Sequence, residues 1–512
     1  MHRVLIAFFL IHFSSIQAQE PWILENNDLS AHQFIETNDG GLIFVGSESG
    51  VSETGKIIKY DMSGNMLWEH TIEDNDEPIF IFSVIEDFNG DLIVGGQTFQ
   101  YDPSYGDGFL MRIDACGEVL WFRVYGEIGV YDYIQHLVLG DNHEVYLNHY
   151  IANTNDDRFT LTNVDVDGTI LWQKQYFTNY GHGVNRLMKT GDKGFIMIGT
   201  IYIQPYFDPE NPVAYLRSAV VRTDSLGSEL WTNIYRWEDD VSDSIQTSAG
   251  GTVNQIDEFR FNVVGLNLTG GNQCPTMYEL DDTGVLLWYK NHPNSDLTYT
   301  RTCSSVLNDT VFMVAAYHPI GMDMVSGQFK VWKTDLNGTV EDEFNDESIS
   351  YSVIDVKASK DSTSLFILPN GGGPNLTSLY ALKLNPSTME LDTFLTEDVN
   401  DYDYYCPEGV EELNYYFPDL SVEDVFVKEK KQLRLAPNPA KNYTYVYFDI
   451  ANFNRSAKIE IHNLQGKLVN SYPLQGAIGR VYEDLSSYTS GIYVVSLIMD
   501  NRLLESSKLV VE

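Results

Sequence analysis

Lys59-Tyr60-Asp61-Met62-Ser63-Gly64-Asn65-Met66-Leu67-Trp68 is the stretch that decides the fold. Its Asp-x-x-Gly-x-x-x-Trp skeleton returns as Asp114, Gly117 and Trp121, as Asp165, Gly168 and Trp172, as Asp224, Gly227 and Trp231, and as Asp281, Gly284 and Trp288. A sixth copy keeps Asp335 and Gly338 but carries Asp342 in place of the Trp, and a weaker seventh begins at Asn385. Successive copies lie 53, 51, 59, 57, 54 and 50 residues apart. Alternating apolar residues precede the Asp, as in Phe109, Met111 and Ile113, which is the period of a half-buried strand. Asp-x-x-Gly reads as a type I turn whose Gly takes a positive φ, giving a β-hairpin with a bulged loop. The Asp bonds to the turn's own backbone. These carboxylates are therefore structural, and the Trp is expected to pack between neighbouring units.

Each hairpin is preceded by a second strand pair. Asp39-Gly40-Gly41 leads into Leu42-Ile43-Phe44-Val45-Gly46, Asn89-Gly90-Asp91 into Leu92-Ile93-Val94-Gly95, and Gly191 to Gly194 into Phe195-Ile196-Met197-Ile198-Gly199. Four strands per unit of about 50 residues match a propeller blade. The expectation is an all-β chain: a seven-bladed β-propeller over 21–397, its ring closed by a strand at Trp22-Ile23-Leu24, followed by a small Ig-like β-sandwich. Two β domains that merely share a hairpin motif are the rival, and the even spacing argues against them. The repeats resemble the Trp-containing propellers of secreted Bacteroidetes proteins. They resemble the blades of pyrroloquinoline-quinone dehydrogenases more distantly. Those blades have one more residue between Asp and Gly and use adjacent Cys at the cofactor, so the resemblance implies the fold and not the cofactor.

The chain has 512 residues and a formal net charge of −41, with 13% aromatic residues and 39 Gly. Such a charge excludes nucleic acid and anionic membrane surfaces as partners, because phosphate binding needs Lys/Arg clusters. Residues 1–19 read as a signal peptide: Arg3, an apolar run over 4–13, then small and polar residues for cleavage. No later stretch is long and apolar enough to be read as a transmembrane segment. Export permits disulfides. Of the four Cys (116, 274, 303 and 406), Cys274–Cys303 is the pair favoured by their place in neighbouring repeats, with four thiols as the alternative.

Residues 398–431 break the repeat with an acidic, Tyr-rich linker, and a module of about 80 residues occupies 432–512. It carries Pro437-Asn438-Pro439, a hairpin around Gly466-Lys467, Ser490-Gly491-Ile492-Tyr493 and Lys508-Leu509-Val510. Through those motifs it resembles the C-terminal sorting domain of the type IX (Por) secretion system of Bacteroidetes. The resemblance singles out Pro437, Asn438, Pro439, Gly466, Gly491, Tyr493 and Lys508. It implies the type IX machinery as partner and a secreted or outer-membrane surface location.

Propeller ligands bind on the face shared by the loops between blades and between second and third strands, or in the central channel. On that face the sequence places Tyr101, Tyr105, Tyr131, Tyr206, Trp237, Asp239 and His318. Aromatic rings interleaved with carboxylates suit a carbohydrate or a protein ligand, and oxygen-rich loops suit Ca²⁺. A binding or adhesion module is the reading favoured. The alternatives are a secreted carbohydrate-active enzyme on the same scaffold and a purely structural surface protein. No nucleophile elbow or His/Cys metal spacing is present, so no catalytic residue is assigned.

Overall fold

A computed structural model describes residues 21–48, 54–73, 78–99, 104–126, 129–152, 159–176, 184–203, 215–235, 251–269, 272–292, 297–319, 328–346, 352–370, 379–393, 413–416, 425–427, 433–436, 438–449, 457–463, 467–474, 478–499 and 502–511. The signal peptide expected over 1–19 lies outside them. Every element among the described residues is a β-strand. The chain forms two compact units, 1–425 and 426–512.

In the first unit the described strands build seven sheets, each around a run of four consecutive antiparallel strands apart from the last, resembling propeller blades. They are numbered here I (29–73), II (79–126), III (131–176), IV (184–235), V (252–291), VI (297–346) and VII (352–385). The fourth strand of sheet VII comes from the start of the chain: Ile23–Asn26 pairs with Leu379–Asn385, Ile23 opposite Leu382. The first strand of each sheet touches the first strand of the next, and that of VII touches that of I, so the circuit closes.

Between successive sheets lies an apolar cluster, one per interface. Ile43 and Trp68 of sheet I meet Ile79 and Phe109 of sheet II. The closing interface gathers Trp22, Phe366 and Leu368 of sheet VII against Phe34, Phe44 and Ile58 of sheet I. Sheets buried on both faces read as near-continuous apolar runs, as the second and third strands here do. Burying each such side chain contributes roughly 1.5–3 kcal/mol, so the interfaces dominate the stability of the unit.

The repeated turn has the expected geometry. Gly64, Gly117, Gly168, Gly227, Gly284 and Gly338 have φ between +70° and +90°. In the third repeat Asp165 Oδ1 accepts from the backbone N–H of Asp167 at 3.0 Å and of Thr169 at 2.8 Å. Burial raises the pKa of Asp281, but hydrogen bonds from Thr283 and the backbone outweigh it and leave the carboxyl below its ordinary value. The Trp spans two sheets. Trp121 Nε1 donates to Val166 O at 2.9 Å and Trp231 Nε1 to Asp282 O at 2.7 Å, each in the turn of the following repeat. Trp22 does the same for the closing interface, donating to Met62 O at 2.8 Å.

One expectation is corrected. Cys274 and Cys303 are buried thiols, and Cys116 is the disulfide-bonded cysteine among the described residues. Cys274 packs between sheets V and VI, whereas Cys303 packs between VI and VII. Sheet VI lies between the two clusters, and both cysteines are unbridged. The segment read as a linker contributes Leu413–Tyr416, which pairs in parallel with His70–Glu73 at the outer edge of sheet I.

In the second unit two sheets enclose one core. Leu433–Ala436, Tyr443–Asp449 and Ile478–Asp484 form the first, and Leu468–Leu474, Ala457–Asn463, Gly491–Met499 and Arg502–Val511 the second. Val446, Ile459, Val495 and Leu509 fill the space between them.

Candidate functional site

The first strands of the sheets carry a recurrent irregularity. In sheets I, II, III, IV, VI and VII the register against the second strand shifts once, and the residue after the shift is Gln33, Ser83, His136, Arg186, Arg301 and Asp355 respectively. A bulge re-aims the side chain that follows it. Gly46 marks the place on the second strand of sheet I: a Cβ there would lie 1.9 Å from Ser30 O, so the bulged backbone leaves room only for Gly.

Two of the re-aimed residues, Arg186 and Asp355, meet inside the ring. Arg186 Nη2 donates to Asp355 Oδ1 at 2.6 Å, joining sheets IV and VII, which are not neighbours in the circuit. Lys357 Nζ lies 3.6 Å from Asp355 Oδ2 and donates to Phe34 O at 2.6 Å. These residues, with Thr252, Asn254, Ser304 and Ser305, line a cavity of about 200 Å³ between the first strands of sheets IV to VII. Asp355 is the one carboxylate in that lining and is 2% exposed at its side chain. Burial raises its pKa, but Arg186 and Lys357 outweigh this and hold it below the ordinary value. Arg301 is solvent-exposed on its strand. Burial and the charge of Arg186 push His136 down to about 3, so its ring is neutral.

The first strands of sheets I to III bring aromatic rings instead. Phe80 and Phe82 stack at 6.1 Å, Phe82 meets Tyr133 at 5.4 Å, and Tyr133 meets Tyr150 at 4.8 Å. His32 lies 5.5 Å from Phe82 and its Nδ1 bonds with Ile81 O at 2.8 Å. All five are only half-buried; His32, Phe80, Phe82 and Tyr133 lie on first strands beside core residues, and Tyr150 lies on the second strand of sheet III, opposite Tyr133.

Of the loop residues expected to bind ligand, Tyr105 and Tyr131 are exposed and brought together by Gln97. Gln97 Nε2 donates to Tyr105 O at 3.4 Å, and Tyr131 OH donates to Gln97 Oε1 at 3.5 Å. Tyr131 also continues the aromatic row, 5.8 Å from Tyr133. His318 sits near the end of Thr310–Pro319, opposite Thr298. Tyr101, Tyr206, Trp237 and Asp239 lie outside the described residues. Among the described residues no three His, Cys, Asp or Glu side chains are grouped to hold a metal ion. Sequence reading did not single out Arg186, Arg301, Asp355 or Lys357. Their signal is faint: a charged residue at the start of the first alternating stretch of a repeat, in a chain with only 32 Lys and Arg.

The motifs of the second unit converge on its last strand. Asn438 Nδ2 donates to Lys508 O at 2.6 Å, and its Oδ1 accepts from Val510 N at 2.8 Å. Its amide thus takes the place of a strand partner for the end of the chain. Tyr493 OH donates to Thr489 O at 2.9 Å, and its ring meets Tyr488 at 4.8 Å. Lys508 is exposed opposite Val494. Pro437 and Gly466 lie outside the described residues.

Residues 434–512 match the family of secretion system C-terminal sorting domains. The chain is therefore addressed to the type IX secretion machinery, and to the cell surface or the medium. No helix among the described residues is long and apolar enough to cross a membrane. No curated protein matches the chain. Solved structures with similarity include a chain of the mitotic checkpoint complex, 12% identical over 75% of this chain and all of that one, with a TM-score of 0.45. A polysaccharide lyase, an ulvan lyase, is 10% identical over 73% of this chain and 99% of its own, with a TM-score of 0.47. Drosophila semaphorin 2a is 11% identical over 96% and 98%, with a TM-score of 0.43. Similarity at this level carries no argument about function.

Proposed function

We propose that the chain is a secreted or surface-held binding module, exported with 1–19 as signal peptide and the second unit as address, and that its first unit is a seven-bladed propeller that takes a carbohydrate or protein ligand at its axis. The observation that carries this reading is the axial cavity of about 200 Å³, lined by Arg186 and Asp355, which follow bulges, and by Lys357, Thr252, Asn254, Ser304 and Ser305. Half-buried rings on the first strands of sheets II and III offer flat faces to a sugar ring. Tyr101, Tyr105, Tyr131, Tyr206, Trp237, Asp239 and His318 form the proposed rim. A cavity of this size is below the ~300–1,000 Å³ of pockets that swallow a whole small molecule. It takes one ring or substituent of a larger ligand.

Glycosidase chemistry needs two carboxylates flanking the scissile bond. The cavity lining holds Asp355 alone, already bonded to Arg186, and this favours binding over hydrolysis. The test is a glycan array probed with the full chain, run beside a screen for polysaccharide cleavage. Retained glycans without cleavage are expected. A blank array with cleavage of any polysaccharide refutes the binding reading.

A further inference from the structure

Two cations, Arg186 and Lys357, line the axial cavity, and a third, Arg301, follows the bulge on the strand that carries the lining residues Ser304 and Ser305. One carboxylate, Asp355, stands in that lining, 2.6 Å from Arg186 and 3.6 Å from Lys357. The cluster therefore holds two positive charges in excess, in a chain whose net charge is −41. Arg186 is bound to Asp355 at 2.6 Å, and Lys357 is shared between Asp355 and Phe34 O. Arg301 has no hydrogen-bond or ion-pair partner among the described residues, and it is exposed. Concentrating like charges around one carboxylate is unfavourable in the empty protein, since cations at short range repel. Cations also crowd at a place where they are scarce overall. His136 adds no charge, because its ring is neutral, and its Nε2 is buried with no hydrogen-bond partner. Ser304 and Ser305 in the lining supply hydroxyl groups beside the cations.

We propose that the axial cavity is an anion-binding site, in which Arg186 and Lys357 of its lining, with Arg301 beside it on the strand that supplies Ser304 and Ser305, receive a carboxylate or sulfate group carried by an acidic saccharide. The saccharide part rests on the function proposed above; the anionic part rests on the charge cluster. Arg fits either group because its planar fork gives two parallel N–H donors to two oxygens. Asp355 orients Arg186 and keeps the empty site from carrying all three charges uncompensated. The aromatic row of Phe82, Tyr133 and Tyr150 supports the sugar face of the same ligand. The overall negative charge of the chain repels polyanions at long range. Binding of a polyanion therefore reports a local site and not a diffuse surface.

The test uses the full chain and two matched pairs of polymers: dextran sulfate against dextran, and polygalacturonate against its methyl ester. Affinities are measured by calorimetry at two salt concentrations. The expected result is that at least one charged polymer binds tenfold or more tightly than its neutral partner, and less tightly at high salt. Arg301→Gln should reduce that affinity about tenfold or more with unchanged thermal stability, because Arg301 supports no other residue, while Arg301→Lys should retain part of it. Equal affinity for charged and neutral members, or an unaltered Arg301→Gln, overturns the inference and leaves the binding reading intact. No binding to any polymer or arrayed glycan overturns both.

Discussion

Gly227→Ala tests how the sheets are joined. Gly227 ends the Asp224 turn of sheet IV with φ +70°, and a Cβ there would lie 2.6 Å from Trp172 Cη2 and 2.7 Å from its Cζ3. Two costs follow. A left-handed conformation costs an Ala roughly 1–2 kcal/mol. Forcing a methyl into a packed contact costs about 1–3 kcal/mol. Trp172 is half-buried, so its ring can yield towards solvent, and the lower half of that second range applies. The expected total is about 2–4 kcal/mol. The two parts separate in a double-mutant cycle. In a Trp172→Ala background the clash disappears, and Gly227→Ala should cost only the roughly 1–2 kcal/mol of the torsion. Gly129→Ala is the control, with φ +81° and nothing within 4 Å of the added Cβ; it too should cost roughly 1–2 kcal/mol. The assay is urea unfolding of the full chain followed by circular dichroism, which loss of a Trp does not blind. If Gly227→Ala costs the same in both backgrounds to within about 0.5 kcal/mol, the Trp–turn contact does not hold sheets III and IV together.

Other expectations concern closure, pH and export. Trp22→Ala removes a side chain 1% exposed and its bond to Met62 O; it should cost about 3–5 kcal/mol and open the closing strand to proteolysis, read by cleavage rates at the start of the chain. His136 and His292 are held down to about 3 and about 4 by burial. The unfolded chain binds protons at both below about pH 6.5, so stability should fall as pH drops from there towards 4, by about 1.4 kcal/mol per pH unit for each histidine. A His136→Gln, His292→Gln variant should flatten the melting temperature against pH between 6 and 4.5. Arg186→Ala leaves Asp355 buried without its guanidinium. It should destabilise by about 3–5 kcal/mol, and Arg186→Ala with Asp355→Ala by less, both read by urea unfolding. Asn438→Ala removes two hydrogen bonds to the last strand; the amount of chain reaching the medium of a type IX-competent host should fall, with retention in the periplasm read by immunoblot.

The repeat was legible in the sequence because its turn chemistry is local. Asp165, Gly168 and Trp172 fix a hairpin within eight residues, and the sequence interval carries that unit round the ring. Trp22 was legible for the same reason, as the missing fourth strand of a unit that otherwise ends early. The axial cluster was not, because Arg186 and Asp355 are 169 residues apart and meet only when the circuit closes. No local pattern distinguishes Arg186 from an exposed strand residue; the bulge before it decides where it points. The disulfide expectation failed on the same kind of information. Neighbouring repeats put Cys274 and Cys303 close in sequence, but Cys274 on sheet V turns towards sheet VI while Cys303 on sheet VI turns towards sheet VII. In the second unit, Asn438 was read from a motif, and its task of pairing with the last strand became visible only in three dimensions.

In the proposed function, ligand is taken at the axis and not on the outer surface. A crystal structure of the full chain with a sulfated or uronate oligosaccharide tests it most directly. The anionic group is expected in the cavity lined by Arg186, Ser304 and Lys357, within hydrogen-bond distance of the axial guanidinium groups. An oligosaccharide bound elsewhere on the chain, with the axial guanidinium groups untouched, would contradict it.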